Sequence, residues 1–217
     1  MKYKLAVFDL DGTILNTLDD LADSCNHVLK EFNFPVHSTE KIKYFVGNGV
    51  PKLIERAVPD GLKNPDYEKV LSRFIEYYEK NSSIKTRPYD GMIDLLNQLK
   101  QNNVLLAVNT NKIEEAAVIL CNKYFPGIFS FISGGKKENR PKPAVDGFNE
   151  IFSRTNGISL NECVHIGDSD VDIRTGKNAG IDVIGVSWGF RGKEFLLANG
   201  AEKVADDTKE LLTLLSS

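Results

Sequence analysis

"VFDLDGT", residues 7–13, decides how the rest of the chain is read. Val7 and Phe8 close a short apolar run. Asp9 and Asp11 then stand two positions apart, with Gly12 and Thr13 behind them. In an extended segment, residues i and i+2 face the same side, so both carboxylates point together at the end of a strand. Gly12 lets the backbone approach closely after Asp11. Alone, such a pair is a turn or a helix cap more often than a site. What it becomes depends on what else reaches that strand end.

Four further apolar runs resemble the first. With "KLAVFDLD" (4–11) they are "NVLLAVNTN" (103–111), "IFSFISGG" (128–135), "ECVHIGDSD" (162–170) and "IDVIGVSWG" (181–189). Their length and Val/Ile content suit strands buried on both faces of a parallel sheet. Amphipathic helices separate them. Met92, Leu95, Leu96 and Leu99 share one face, as do Ile113, Ala116, Ala117, Leu120 and Tyr124, and then Val145, Phe148, Ile151 and Phe152. This alternation predicts an α/β fold, a doubly wound, Rossmann-like parallel sheet with helices on both faces.

Residues 16–82 break the alternation. Leu18, Leu21, Ala22, Cys25, Val28, Leu29 and Phe32 recur at helical spacing, with Thr17 placed to cap and Asp20 three positions on. "STEKIKYF" and "PKLIERAV" continue the helical pattern. Asn64-Pro65 reads as the N-cap and first turn of a helix carrying Tyr67, Val70, Leu71, Phe74 and Tyr78. The expected organisation is therefore an α/β core of residues 1–15 and 83–217, with an all-helical cap of residues 16–82 inserted over the strand ends as a lid.

Composition narrows the functional classes. The chain has 217 residues, 41% hydrophobic and 26% charged, and a formal net charge of -3, so no global basic field favours nucleic acid. No run approaches the ~18 apolar residues of a membrane span, and the first apolar run is too short for a signal-peptide core. Cys25, Cys121 and Cys163 are scattered, without a CxxC pair, which fits a reducing cytoplasm better than a disulfide framework.

The polar residues gather at the C-terminal ends of the runs: Asp9 and Asp11 on the first, Asn109, Thr110 and Asn111 on the second, and Asp168, Ser169, Asp170 and Asp172 on the fourth. Ligands of open parallel sheets bind at that edge. Several carboxylates in one crevice need compensation, because desolvation and repulsion oppose their ionisation. A divalent cation supplies it, and an all-oxygen ligand set favours Mg²⁺. Mg²⁺ commonly shares its site with a phosphate oxygen, which points to a small phosphorylated metabolite. Thr110 and the amides around Asn111 can donate to phosphoryl oxygens. Lys142, between two prolines, is the basic counterpart. In this chemistry Asp9 is the nucleophile, forming an aspartyl-phosphate. Asp11 protonates the leaving oxygen and then activates water. Lys142, Mg²⁺ and Thr110 hold the transferring phosphoryl group. Asp170 is expected to face solvent or cap the following helix.

Four stretches in order, "DLDGT" (9–13), Thr110-Asn111-Lys112, Lys142 and "GDSDVD" (167–172), resemble the motifs of the haloacid dehalogenase-like superfamily across the whole chain. The resemblance implies Mg²⁺ held by the Asp9 carboxylate, the Asp11 backbone carbonyl and Asp168, with Asp172 supporting the site. It also implies phosphate binding by Thr110, stabilisation of the nucleophile and phosphate by Lys142, and an α-helical cap. "VFDLDGT", "NTNK", "GDSDVDIRTGKNAG" and "GVSWGFR" look most like phosphoglycolate phosphatases. "KPAV" has Val145 where relatives often carry a second proline, and Lys136 stands where they often have an acid.

The cap loop "GNGV" (47–50) places Asn48, Lys52 and Arg56 as candidates for a substrate carboxylate, with Lys112 beside Thr110 as another. His27, His37 and His165 are expected to be structural or surface residues, and Trp188 a core residue. The same chemistry would also serve an inorganic pyrophosphatase or a sugar phosphomutase. From a different class, a phospho-accepting signalling receiver is opposed by the helical insertion and by Asp11 two residues after Asp9. A monomer and a homodimer are both compatible with the sequence.

Overall fold

The computed structural model describes all 217 residues. In chain order the elements are β1 (Leu5–Phe8), β2 (Leu15–Asn16), α1 (Leu18–Glu31), α2 (Thr39–Phe45), α3 (Val50–Ala57), α4 (Tyr67–Asn81), β3 (Arg87–Pro88), α5 (Met92–Gln101), β4 (Leu105–Ile113), α6 (Glu114–Tyr124), β5 (Phe131–Gly135), α7 (Asp146–Phe152), β6 (Cys163–Gly167), α8 (Asp170–Ala179), β7 (Asp182–Val186), α9 (Lys193–Ala198), β8 (Val204–Ala205) and α10 (Thr208–Ser216). Six strands form one parallel sheet in the order β5-β4-β1-β6-β7-β8.

β1 is central because Leu5, Ala6, Val7 and Phe8 are all apolar and all fully buried. Burying each large side chain contributes about 1.5–3 kcal/mol, enough to hold this strand firmly between its neighbours. Side chains alternate between the faces. Ala6 and Phe8 join a core with Met92, Leu96 and Leu211, while Leu5 and Val7 pack with Phe148 and Ile151 on the other face.

Register brings the polar residues together. Phe8 pairs with Val108 on one side and Ile166 on the other. The next residues, Asp9, Asn109 and Gly167, are therefore level at the strand ends. The Asp9 amide still donates to the Ile166 carbonyl at 2.8 Å. Everything that follows on each strand, Asp11, Thr110 and Asp168 included, emerges at one edge.

The helices α1 to α4 are inserted between β2 and β3 and have their own apolar cluster, including Leu21, Cys25, Ile54, Val70 and Phe74. Phe190, from the loop after β7, joins this cluster, and Ile113 at the end of β4 packs against it. The chain leaves and returns through a small antiparallel pair, Leu15 with Pro88 and Asn16 with Arg87, which the sequence pattern does not reveal.

Two capping expectations are corrected. Thr17 occupies the N-cap of α1 but makes no side-chain cap bond. Asp20 does not answer it. Its carboxylate instead accepts from the Lys85 amide at 3.0 Å and the Thr86 amide at 2.8 Å, tying α1 to the returning strand. Helix α4 begins at Tyr67, not Pro65. The Asn64 carboxamide accepts from the Asp66 amide and forms the turn ahead of the helix. No helix is long and apolar enough to cross a membrane.

Candidate active site

Asp9 is the first polar residue beyond β1. Its Oδ1 takes the Leu10 amide at 2.7 Å and the Lys142 ammonium at 3.0 Å. No protein donor is assigned to Oδ2, and Asp9 lines the cleft between the strand ends and the insertion. Burial pushes the Asp9 carboxyl up to about 6, with Lys142 opposing and Asp172 and Asp11 adding to the rise.

Asp168 follows β6. Its Oδ2 accepts from the Phe190 amide at 2.7 Å, and its Oδ1 lies 3.4 Å from the Thr13 hydroxyl. Burial, then Asp172 and Asp9, raise its carboxyl well above the usual range. Two glycines make room for it. Gly12 has φ +83, and a Cβ there would stand 2.4 Å from Asp168 Oδ2. A Cβ on Gly189 would stand 2.2 Å from Asp168 Cβ.

Asp172 is on the first turn of α8. The Ser169 amide and hydroxyl donate to its Oδ2 at 3.1 and 2.6 Å in a capping box. Its Oδ1 receives Lys142 at 2.6 Å and lies 3.1 Å from His165 Nε2. Burial alone would raise its carboxyl, but Lys142 and His165 outweigh burial and hold it well below the usual range. Asp172 and Asp9 in turn raise Lys142 against the effect of its own burial.

Ligand oxygens of Asp9, Asp168 and Asp172 lie within 4.8 Å of one another. The donor set is all oxygen. Asp9 and Asp168 are acids whose ionised forms lack sufficient counter-charge, so a hard divalent cation fits between them. Both Asp172 oxygens already have donors, which suits a supporting place better than a direct one. The Asp11 carboxylate stands outside this cluster. It meets Lys112 Nζ at 3.0 and 3.2 Å.

The other candidate residues separate. Thr110 is buried at the cleft and accepts the Lys112 amide at 3.2 Å. It lies inside β4, which runs on to Ile113, so it is not the cap of α6. Asn111 is a brace. Its Oδ1 takes the Lys142 amide at 2.7 Å, and its Nδ2 donates to the carbonyls of Lys142 and Gly47. Asn48 accepts from Arg56 at 2.8 Å, and Arg56 also donates to the Phe45 carbonyl. Arg56 lines neither the cleft nor the groove beside it. Lys52 lies on that neighbouring groove, paired with Glu55 at 2.6 Å. The cleft itself has about 40 Å³ of free space, which favours a small ligand.

His165 and Tyr78 escape sequence reasoning as participants. His165 packs under Asp172 rather than serving only the core, and burial lowers its imidazole. Tyr78 reaches the cleft from α4. Arg191 donates to the carbonyls of Lys43 and Val46, joining the loop after β7 to the end of α2. The continuously buried strand around His165 signals only burial, and no local pattern marks Tyr78. Trp188 is half-buried and donates to the Thr13 carbonyl at 3.0 Å. Lys136 pairs with Glu114 and Glu150, and Asp170 pairs with Arg174 on the solvent side of α8.

Residues 6–186 match the model of the haloacid dehalogenase-like hydrolases. A phosphoglycolate phosphatase of Haemophilus influenzae is 32% identical over 222 residues, covering 99% of each chain. A crystal structure from Lactobacillus delbrueckii subsp. bulgaricus superposes with a TM-score of 0.93 at 36% identity, covering 99% of each chain. That of a predicted phosphoglycolate phosphatase from Haemophilus somnus gives 0.91 at 29% identity, covering 99% of this chain and 98% of that one. The sheet order, the strand-end carboxylates and this extent of similarity lead to one conclusion: the chain belongs to the haloacid dehalogenase-like hydrolase family.

Proposed function

We propose that the protein is a Mg²⁺-dependent phosphatase of a small phosphate monoester, with phosphoglycolate as the first candidate, working through an aspartyl-phosphate. The observation that carries the reading is Asp9: a buried carboxylate with one oxygen held by Leu10 and Lys142, and the other without a protein donor at the cleft. Such an oxygen is oriented for attack, while the held one keeps the side chain in place.

The Asp9 oxygen attacks phosphorus and the ester P–O bond breaks. Asp11 gives its proton to the departing alkoxide. Water then attacks the phosphorus of the aspartyl-phosphate, Asp11 takes the water's proton, and phosphate leaves as the Asp9 carboxylate is restored. Asp9, Asp168 and the Asp11 backbone carbonyl would hold Mg²⁺, with Asp172 in support. When bound, the cation neutralises charge on the phosphoryl oxygens. Lys142 and Thr110 share that task. Asn48, Lys52 and Arg56 would contribute to substrate recognition only after the insertion moves, because their present partners are protein groups. The insertion, residues 16–82, would act as a lid that opens for substrate and product. The unpaired, buried thiols of Cys25, Cys121 and Cys163 suit a cytoplasmic location.

A kcat/KM screen over phosphoglycolate, other small phosphate esters and pyrophosphate tests the substrate. A best substrate without a carboxylate would demote phosphoglycolate. Chelation should stop turnover and added Mg²⁺ restore it.

A further inference from the structure

Lys112 and Tyr78 have no part in the chemistry so far, yet both are buried beside Asp11. Lys112 Nζ has three N–H donors. Two face the Asp11 oxygens at 3.0 and 3.2 Å, and the third faces the Tyr78 hydroxyl at 2.7 Å. None remains for a substrate group. Lys112 is therefore satisfied entirely by protein, unlike a side chain waiting for a ligand carboxylate.

The two partners come from different parts of the molecule. Asp11 and Lys112 emerge from neighbouring strands of the sheet, β1 and β4. Tyr78 belongs to α4 of the insertion, stacked on Phe74 with ring centroids 5.4 Å apart. The Lys112 ammonium also lies 4.6 Å from the centre of the Tyr78 ring, a cation–π contact in addition to the hydrogen bond. The Asp11 carboxylate has no other side-chain donor assigned. Its orientation thus depends on one ammonium, and that ammonium is held in turn by the insertion.

We propose that Tyr78 and Lys112 are positioning residues that fix the Asp11 carboxylate for proton transfer when α4 sits over the strand ends. The proposal rests on the assignment of Asp11 as the acid and base. Withdrawal of α4 would remove the hydroxyl, free the ammonium and loosen Asp11. Proton transfer would then be efficient only under the covered arrangement, where bulk water is excluded. Lys112 becomes a support of the catalytic acid instead of a substrate ligand.

The test compares leaving groups. p-Nitrophenolate departs without a proton, whereas the alkoxides of phosphoglycolate and ethyl phosphate need one. Lys112→Met should lower kcat/KM for both alkyl esters by ~100-fold, the scale of general acid catalysis, and should leave p-nitrophenyl phosphate within about 5-fold. Tyr78→Phe should show the same pattern at ~10-fold, the scale of one hydrogen bond to a charged group. It should add nothing in the Lys112→Met background, because Tyr78 acts through Lys112. Equal losses on all three substrates would mean a purely structural role and overturn the proposal. A loss confined to phosphoglycolate would instead make Lys112 a carboxylate ligand, and additive losses would uncouple Tyr78 from Lys112. Asp11→Asn is the reference. If it shows no leaving-group dependence, the acid assignment fails and the positioning role with it. If it shows that dependence and the other two variants do not, only the positioning role fails. Tyr78→Phe removes a single hydroxyl, so the test stands even if Lys112→Met does not fold.

Discussion

Asp9 with Lys142 and Asp11 with Lys112 are two versions of one arrangement, their acids two positions apart with a bend at Leu10 between them. Each pairs a carboxylate with a lysine whose side chain is 3% exposed. Their surroundings differ. The Asp9 pair is enclosed by core groups, with Asp172 and His165 beneath it. The Asp11 pair is completed from the insertion, by Tyr78. The first is built into the sheet and persists wherever α4 goes. The second is assembled across an interface. On the proposed mechanism, the same two residue types would provide a fixed nucleophile and a proton carrier whose placement depends on closure.

The largest expected break between the pairs is catalytic. Asp9→Asn should abolish turnover of every phosphate ester, p-nitrophenyl phosphate included, by about 10⁴-fold or more, with thermal unfolding close to wild type. Asp11→Asn should spare phosphorylation by p-nitrophenyl phosphate, read as rapid p-nitrophenolate release in single-turnover kinetics. Full steady-state activity of Asp9→Asn would remove it as nucleophile.

Stability should separate the lysines next. Lys142→Met leaves Asp9 and Asp172 buried without their cation, a loss of about 3–5 kcal/mol. Lys112→Met leaves only Asp11, which is partly exposed and can rehydrate, a loss of about 1–2 kcal/mol. Urea unfolding monitored by circular dichroism measures both. Equal losses would erase the distinction between a core pair and an interface pair.

The carboxylates around the Asp9 pair also predict a pH dependence. Asp9, pushed up to about 6, and Asp168, pushed higher than usual, are both raised in the folded state. Their stabilising contribution is complete below the unfolded value near 4 and is lost as pH rises through about 6 for Asp9. Asp172, held low, contributes in the opposite sense, and its share is lost progressively as pH falls below the unfolded value near 4. A bound cation offsets the cost of ionising Asp9 and Asp168. Mg²⁺ should therefore stabilise the protein more at about pH 7.5 than at about pH 5, by roughly 2 kcal/mol. Thermal unfolding with and without Mg²⁺ reads this difference, and an equal shift at both pH values would contradict it.

The smallest effect belongs outside both pairs. Lys52→Ala removes an exposed contact to Glu55 on the neighbouring groove. It should change stability by less than about 0.5 kcal/mol. Its kcat/KM for p-nitrophenyl phosphate should stay near wild type, and a large loss would bring the groove into the catalytic cleft.

Much of the molecule was legible in the linear chain. The apolar runs announce a parallel sheet because a strand buried on both faces must be apolar throughout, and the helical spacing of residues 18–32 announces an insertion in the same way. Asp9, Asp11, Thr110, Asp168 and Asp172 could be selected because each lies at or just beyond the C-terminal end of an apolar run, where strands of a parallel sheet share one edge, and Lys142 because it stands between two prolines ahead of a helix. The Asn111 brace, His165 under Asp172, the Asp20 tie to Lys85 and Thr86, and the Tyr78–Lys112–Asp11 contact were not legible. Each joins groups about 7 to 101 residues apart by a hydrogen bond that forms only within about 3 Å. Periodicity states which face a residue takes, whereas the choice of partner on that face is made when two elements meet. The sequence by itself determined the sheet, the helical insertion and which polar residues gather at the strand ends. Only the tertiary structure decided that Lys112 is held by the insertion on one side and holds Asp11 on the other, because its three short-range donors find their acceptors only after α4 has packed over the sheet.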